Sequence, residues 1–210
     1  MISIYINNTK TLTKKNSTVF QACQSINISI PRFCFHERLL IAGNCRMCLV
    51  EIEKFPKPVA SCAMPVSENI KIYTNSPLVK KAREAIIEFL LINHPLDCPI
   101  CDQGGECDLQ NQSFLFGSNE TRFYSHKRGS RDKHVGPLIS IVITRCIHCT
   151  RCVRFLNELI SDSSLGITGR GFSSTIGPFV INNIKSKLSG NIVDLCPVGY
   201  FSIKKYDVLF

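Results

Sequence analysis

Twelve cysteines in a chain of 210 residues constrain the fold more than any other feature of this sequence. Eleven of them fall into three groups whose spacing is typical of metal sites rather than of a disulfide framework. The chain opens with an alternating, strand-like segment, residues 1–6, and not with a signal peptide or an Arg-rich presequence. We therefore expect a reducing compartment, in which these thiols bind metal.

The third group of cysteines has the most specific spacing. Three cysteines spaced C-x2-C-x2-C wrap one face of an iron–sulfur cubane, and a distant Cys-Pro supplies the fourth thiolate. Zinc ribbons instead use two separate C-x2-C pairs. The spacing therefore favours a [4Fe–4S] cluster over zinc at Cys146, Cys149, Cys152 and Cys196.

The first group is a variant of the plant-type ferredoxin pattern, in which one cysteine, a C-x2-C pair and a distant cysteine hold a [2Fe–2S] cluster. Its first gap is ten residues, which is longer than the plant-type spacing. The candidate ligands are Cys34, Cys45, Cys48 and Cys62. The remaining thiol, Cys23, lies beside Phe20 and Ala22 in a predicted helix, and we interpret it as a buried apolar residue.

The second group combines three cysteines with a histidine, in the order His94-x3-Cys98-x2-Cys101-x5-Cys107. Three thiolates leave a four-ligand site incomplete, and the imidazole of His94 at the end of a predicted helix would complete it. A lone histidine is otherwise a surface group or a partner of a ligand, and that alternative stays open here. His148 lies within the already complete third group, so we expect it to support that site without binding the metal.

Short alternating segments predict a β-rich region over residues 1–75, with a short helix capped by Ser17. Ser76 and Pro77 then predict the start of a long helix that ends near residue 93. Its predicted apolar face consists of Leu78, Ala82, Ala85, Ile86, Phe89 and Leu90. Arg83 is assigned to the solvated face. Farther along, residues 138–143 predict a strand and residues 146–159 a helix.

The predicted fold class is α+β, in four segments. A β-grasp, plant-type ferredoxin domain covers residues 1–75, and a helical segment with the histidine and three cysteines covers 76–118. Residues 119–137, which include the basic stretch 126–134, are interpreted as a linker. A bacterial-ferredoxin-like [4Fe–4S] domain covers residues 138–210.

Four long motifs closely resemble the large iron–sulfur subunit of NADH:ubiquinone oxidoreductase, respiratory complex I. Residues 93–110 read NHPLDCPICDQGGECDLQ, and residues 144–155 read TRCIHCTRCVRF. Residues 43–51, GNCRMCLVE, and 189–199, SGNIVDLCPVG, carry the resemblance further. It extends over nearly the whole chain.

The resemblance implies a ligand set for each cluster. The first group would hold [2Fe–2S], and the second would hold [4Fe–4S] with His94 as its one histidine ligand. The third group would hold another [4Fe–4S]. The implied role is electron relay within a proton-pumping NADH:ubiquinone reductase. Electrons would pass from the flavin- and NADH-binding subunit towards other iron–sulfur and quinone-module subunits, and this chain would have no catalytic residue, NADH site or quinone site.

The family usually continues into a large molybdopterin-oxidoreductase-like region, whereas this sequence ends at Phe210. We expect that region to be either a separate chain or lost. The absence of tryptophan, together with many Asn, Ile and Lys residues, indicates an AT-rich genome. This composition favours an organelle-encoded subunit on the matrix side of the mitochondrial inner membrane, attached to the membrane only through the complex. The cytoplasmic face of a bacterial membrane is the alternative.

Two other functions fit parts of the sequence. An electron-transfer (diaphorase) subunit of an NAD-reducing hydrogenase has the same domain order. A zinc-stabilised nucleic-acid-binding protein would fit the net charge of +9. Bound clusters, however, reduce that charge to about +4, because their thiolates outweigh the iron. Nucleic acid is therefore not an expected partner.

Overall fold

The computed structural model describes residues 1–124, 126–133, 135–179 and 184–204. Two compact units make up the chain. The first unit comprises Met1–Phe35, Ile41–Phe89 and Gln112–Arg122, and the second comprises His36–Leu40, Leu90–Asn111 and Phe123–Phe210. The basic stretch 126–134 and the predicted domain 138–210 each include residues outside the described part. The four predicted segment boundaries stay predictions.

The first unit is built on a five-stranded mixed sheet with the strand order β2-β1-β5-β3-β4. The strands are β1 Ile2–Ile6, β2 Thr9–Thr13, β3 Leu49–Ile52, β4 Val59–Ala60 and β5 Lys71–Tyr73. Asn7 and Asn8 both have positive φ, 47° and 68°, which is the twist that a two-residue hairpin turn between β1 and β2 requires. The β1–β5 pair is parallel and the other pairs are antiparallel.

Helix α1, Val19–Gln24, covers this sheet and contributes to its core. The predicted cap was one residue off. Thr18, not Ser17, is the N-cap, because its hydroxyl accepts from the Gln21 amide while the Gln21 side chain accepts from the Thr18 amide. Cys23 is fully buried in the core, as expected for a small apolar residue.

Helix α2, Pro77–Asn93, begins and ends where the sequence predicted, and the Ser76 hydroxyl accepts from the Val79 amide at 3.3 Å. The predicted apolar face was wrong. The buried positions are Val79, Arg83 and Ile87, one helical turn apart, whereas Phe89 is 72% exposed. The burial of Arg83 is the main departure from the sequence pattern.

The second unit contains two antiparallel strand pairs, β6–β9 and β7–β8. The strands are β6 Ile139–Ile141, β7 Leu165–Thr168, β8 Thr175–Pro178 and β9 Phe201–Ile203. Tyr200 is 1% exposed, and its hydroxyl donates to the Ile176 carbonyl at 2.7 Å, which ties the start of β9 to β8. The cysteines of the second unit lie in the loops and short helical elements outside these strands.

The remaining helices are short. They are α3 Asp108–Phe116, α4 Arg151–Arg154 and α5 Asn191–Leu195. The helix predicted over residues 146–159 begins only at Arg151 and continues as a π-helical turn, Phe155–Ile160. His148 and Thr150 have left-handed φ values of 53° and 61°, which prevent the helix from starting earlier.

Part of the basic stretch 126–134 packs back onto the second unit. The Lys127 Nζ donates to the carbonyls of Leu91 and Ile92 at 2.9 and 3.2 Å, at the C-terminal end of α2. A cation at this end of a helix is favourable, because the last carbonyls are unpaired and carry partial negative charge. Within the described ranges, no helix is both long and apolar enough to cross a membrane.

Candidate metal centres

The first cysteine group comes together in the first unit. Its four members, Cys34, Cys45, Cys48 and Cys62, converge around the end of the sheet where β3 begins and β4 ends. The Cys34 amide donates to the Cys45 Sγ at 3.4 Å. The thiol of Cys34 also interacts with those of Cys45 and Cys62, and Cys48 interacts with Cys62. The structure therefore gathers all four predicted ligands.

The thiolates of the first group lie so close together that a bound cation is needed to compensate their negative charge. Hydrogen bonds from the Cys45 and Cys62 thiols lower the pKa of Cys34, so that one thiolate forms readily. The pKa of Cys62 is raised, because its thiol donates to neighbouring thiolates and a second negative charge beside them is unfavourable. Four thiolates at this point require positive charge among them. The donor set therefore fits an iron–sulfur cluster.

The backbone around the first group is held by β4. The Ser61 amide and hydroxyl both donate to the Cys48 carbonyl, at 3.1 and 2.8 Å, which fixes two ligand segments to each other. Arg46, between two ligands, has a left-handed φ of 59° and is exposed. Non-glycine residues adopt this conformation rarely, and it turns the C-x2-C loop sharply between Cys45 and Cys48.

The second group begins where α2 ends. His94 follows the helix directly, and its Nδ1 is buried without a hydrogen-bond partner in the part of the chain that the structure describes. Burial lowers the pKa of His94 to about 4, so its imidazole is neutral at pH 7. A neutral imidazole with a buried, unpaired nitrogen is the form that binds a metal. These two observations fit the predicted ligand role.

The three cysteines of the second group lie on a tight loop. A 3-10 turn, Cys98–Ile100, carries the first, and the Cys101 amide donates to the Cys98 carbonyl at 3.4 Å. A Cβ on Gly104 would lie 2.8 Å from that same carbonyl, so only glycine allows this close approach. Burial raises the pKa of Cys107, and charge on the nearby Cys101 sulfur acts in the same direction. Cys98 is exposed, whereas Cys107 is buried.

The third group lies in the second unit, with Cys149 and Cys152 buried and Cys146 and Cys196 half-buried. Its members, Cys146, Cys149, Cys152 and Cys196, affect one another electrostatically. Burial raises the pKa of Cys146 and Cys152 and raises that of Cys196 to about 12. Thiolates in this position are stable only with compensating positive charge, which bound iron supplies. The structure thus brings all four predicted ligands together, including the distant one.

The segment from Cys196 to Tyr200 also borders the second group. The Asp108 amide donates to the Pro197 carbonyl at 3.2 Å, and the Cys107 thiol lies 3.8 Å from the same oxygen. A Cβ added to Gly199 would overlap the Cys101 Sγ. The same five residues therefore carry a ligand of the third group and form one wall of the second.

Two buried arginines lie beside these groups. Arg145, 8% exposed, pairs with Asp97 at 3.1 Å and donates to the Gly199 carbonyl at 3.5 Å. Arg151 is equally buried and donates to the Leu195 carbonyl at 3.4 Å, next to the last ligand. Positive side chains held in a region of low dielectric offset the negative charge of cluster thiolates.

Sequence reasoning missed three features of these sites. It assigned Arg83 to solvent, did not single out Asp97 as the partner of Arg145, and did not predict the left-handed residues between ligands. His148 was expected to act beside the third group, and its amide donates to the Cys146 Sγ at 3.4 Å. Its Nε2 lies 3.0 Å from the Ser174 carbonyl. No signal in the residue types would have identified Arg46, His148 and Thr150 as left-handed positions, since none of these three is glycine or asparagine.

Among the described residues, no three His, Cys, Asp or Glu side chains converge closely enough to hold a single metal ion. A tetrahedral zinc site needs its ligands within about 2.3 Å of one point. An iron–sulfur cluster is larger, because each thiolate binds a different iron at its periphery or shares one with a single neighbour.

Replacing His94 with cysteine is expected to keep the cluster and shift its reduction potential. Cysteine adds a negative ligand where the imidazole was neutral, so the oxidised form gains stability. A redox titration of this centre in the purified chain measures the shift. The same change at the exposed His126 provides the control. An unchanged potential in the His94→Cys chain would refute the ligand assignment.

Three family descriptions match successive parts of the chain. Residues 1–77 match a 2Fe-2S iron–sulfur cluster binding domain. Residues 83–122 match the NADH-ubiquinone oxidoreductase-G iron-sulfur binding region, and residues 136–202 match the ferredoxin-like domain of NADH-quinone oxidoreductase subunit 3. The chain thus has binding domains for both cluster types.

Curated relatives match over 98% of the chain. The NADH-ubiquinone oxidoreductase 75 kDa subunit of Reclinomonas americana is 59% identical. The mitochondrial iron-sulfur protein 1 of NADH dehydrogenase (ubiquinone) from Solanum tuberosum is 56% identical, and an NADH-quinone oxidoreductase subunit of Rickettsia felis is 54% identical. The chain matches the iron–sulfur region of the complex I large subunit.

This match confirms the resemblance predicted from the motifs. The chain spans only 28–31% of the length of these complex I subunits. A solved structure of an NAD+-reducing [NiFe]-hydrogenase has the same fold, with a TM-score of 0.88 over 100% of this chain and 90% of its own. At 24% identity, this hydrogenase supports the fold alone. The ligands of the individual clusters stay predictions.

Proposed function

We propose that this chain relays electrons within an NADH:quinone oxidoreductase of the complex I type. It would carry one [2Fe–2S] and two [4Fe–4S] clusters. The proposed ligands are, in chain order, Cys34, Cys45, Cys48 and Cys62, then His94, Cys98, Cys101 and Cys107, then Cys146, Cys149, Cys152 and Cys196. The observation that carries the proposal is the third group, in which thiols far apart in the sequence lie close enough to affect one another electrostatically.

Iron–sulfur clusters supply one-electron chemistry at potentials set by their surroundings. The chain's residues serve this chemistry by holding ligands rigidly, keeping water away and placing charge. Buried Arg145 and Arg151 place positive charge, and amides such as that of His148 donate to ligand sulfur. None of these roles requires an acid, a base or a nucleophile, so we assign no catalytic residue.

The proposed partners are other subunits of such a complex. A flavin-bearing, NADH-oxidising subunit would deliver electrons, and other iron–sulfur and quinone-module subunits would receive them. The relatives include a mitochondrial and a rickettsial protein. We accordingly propose the matrix side of the mitochondrial inner membrane, with the cytoplasmic face of a bacterial membrane as the alternative.

A relay subunit of an NAD-reducing hydrogenase is the second candidate, because the sequence predicts the domain order that such a subunit has. The two candidates differ in what the chain assembles with. Purification of the native complex through a tag on this chain, followed by mass spectrometry, distinguishes them. Quinone-linked and membrane subunits favour complex I, and a nickel–iron subunit pair favours the hydrogenase.

Iron, acid-labile sulfide and zinc per chain, measured after anaerobic purification, test the cofactor assignment. The three proposed clusters predict about 10 iron and about 10 sulfide with negligible zinc. Two or three zinc ions without sulfide would contradict the relay and support the zinc-stabilised alternative. About 6 iron and 6 sulfide would mean that one [4Fe–4S] site is empty.

A further inference from the structure

Arg83 is a buried cation beside the first cysteine group. Its side chain projects from α2 and is only 4% exposed. Its Nη2 donates to the Leu49 carbonyl at 3.0 Å, and Leu49 directly follows the proposed ligand Cys48. The guanidinium carbon lies 5.6 Å from the centre of the Phe116 ring. The charge is thus enclosed by the ligand strand and an aromatic face.

No carboxylate among the described residues forms an ion pair with Arg83. In the part of the chain that the structure describes, its buried Nε has no hydrogen-bond partner. Burying an uncompensated charge is costly, and arginine keeps its proton in proteins. A negative group must therefore lie nearby in the functional state.

The two nearby thiols differ in their ability to supply that charge. Burial raises the pKa of Cys23 to about 11, so this thiol stays neutral. Cys48 belongs to the group that binds metal as thiolate, and its charge favours the protonated form of Arg83. The compensating charge therefore lies on the side of Cys48 and its bound group.

We propose that Arg83 sets the reduction potential of the [2Fe–2S] centre as a positioning residue, by holding positive charge against the Cys48–Leu49 backbone. The inference rests on the proposed function. When the centre takes up one electron from the flavin-bearing donor, its negative charge rises by one and no bond in the protein forms or breaks. A fixed cation in a region of low dielectric favours that reduced state.

An alternative role for Arg83 is purely structural, as an anchor of α2 on β3 through the Leu49 carbonyl. Three variants separate the two roles. Arg83→Gln keeps a donor but removes the charge, and Arg83→Lys keeps the charge. Lys80→Gln removes the same charge from an exposed position on the same helix and is the matched control.

The experiment is a redox titration of the [2Fe–2S] signal by electron paramagnetic resonance in the purified full chain. Arg83→Gln is expected to lower the equilibrium constant for reduction about tenfold, which for one electron corresponds to about 59 mV. Arg83→Lys and Lys80→Gln are expected to keep the parental potential. Iron and sulfide contents are measured on the same samples, to establish that each variant holds its clusters.

A parental potential in a cluster-loaded Arg83→Gln chain would overturn the inference and leave Arg83 as an anchor. If Arg83→Gln does not fold, the lysine variant decides. A parental potential in the Arg83→Lys chain supports the charge role of Arg83. Loss of the cluster from the Arg83→Lys chain overturns that role. Absence of any [2Fe–2S] signal from the unmodified chain would instead refute the proposed function, so the two failures are distinguishable.

Discussion

Alanine in place of Gly199 is expected to empty the second cysteine group while the other two stay loaded. The new Cβ would overlap the Cys101 Sγ and would also lie 3.3 Å from the Gln103 Cβ. A Cβ does not move out of the way as a long side chain can, so the proposed ligand must shift instead. The iron content is expected to fall from about 10 to about 6 per chain, with an equal loss of sulfide.

The control for this substitution is Gly190→Ala, in the same part of the chain. A Cβ at Gly190 meets no atom within 4 Å, so the full cluster content is expected to remain. Spectroscopy identifies which [4Fe–4S] signal disappears from the Gly199→Ala chain. Retention of all iron in that variant would mean that Cys101 is not held where the structure has it.

Serine in place of Cys196 is expected to empty the third group. The hydroxyl has nearly the size of the thiol but is a poor ligand for iron–sulfur clusters, which select soft thiolates. The site then has three ligands and an opening in a buried region, so about 4 iron and 4 sulfide are lost per chain. Iron and sulfide assays, with the optical spectrum of the remaining clusters, measure the loss.

Cys23→Ala is the matched control, because Cys23 is the one cysteine assigned to no group. It lies fully buried in the core of the first unit, and alanine keeps the site apolar. The cluster content is expected to stay at about 10 iron, with only a small loss of stability. A large loss of iron from Cys23→Ala would show that the ligand sets are wrongly divided.

The sequence predicts three ligand groups because cluster chemistry imposes a characteristic spacing on the ligands. Once Cys146, Cys149 and Cys152 recur every third residue, few other uses for them remain. The start of α2 was equally predictable, since serine is a favoured N-cap residue and proline is favoured at the first helical position, as at Ser76 and Pro77. The capping error at α1 came from two adjacent residues, Ser17 and Thr18, that cap equally well.

The features that could not be predicted depend on distant parts of the chain. A charged residue is normally exposed, and Arg83 is buried only because the Leu49 carbonyl and the Phe116 ring enclose it. The late start of α4 likewise depends on left-handed His148 and Thr150, which residue type does not reveal. In both cases the constraint comes from the site and overrides local preference.

The wall shared through Pro197 and Gly199 has a consequence for biogenesis. A nascent chain emerges from the ribosome with its N-terminus first. The first group is therefore complete once Cys62 has emerged. The second group has all its proposed ligands by Cys107, yet the backbone that borders it arrives about ninety residues later, with the segment from Cys196 to Tyr200. Cluster insertion should therefore follow two phases, an early one for [2Fe–2S] and a late, joint one for both [4Fe–4S] sites.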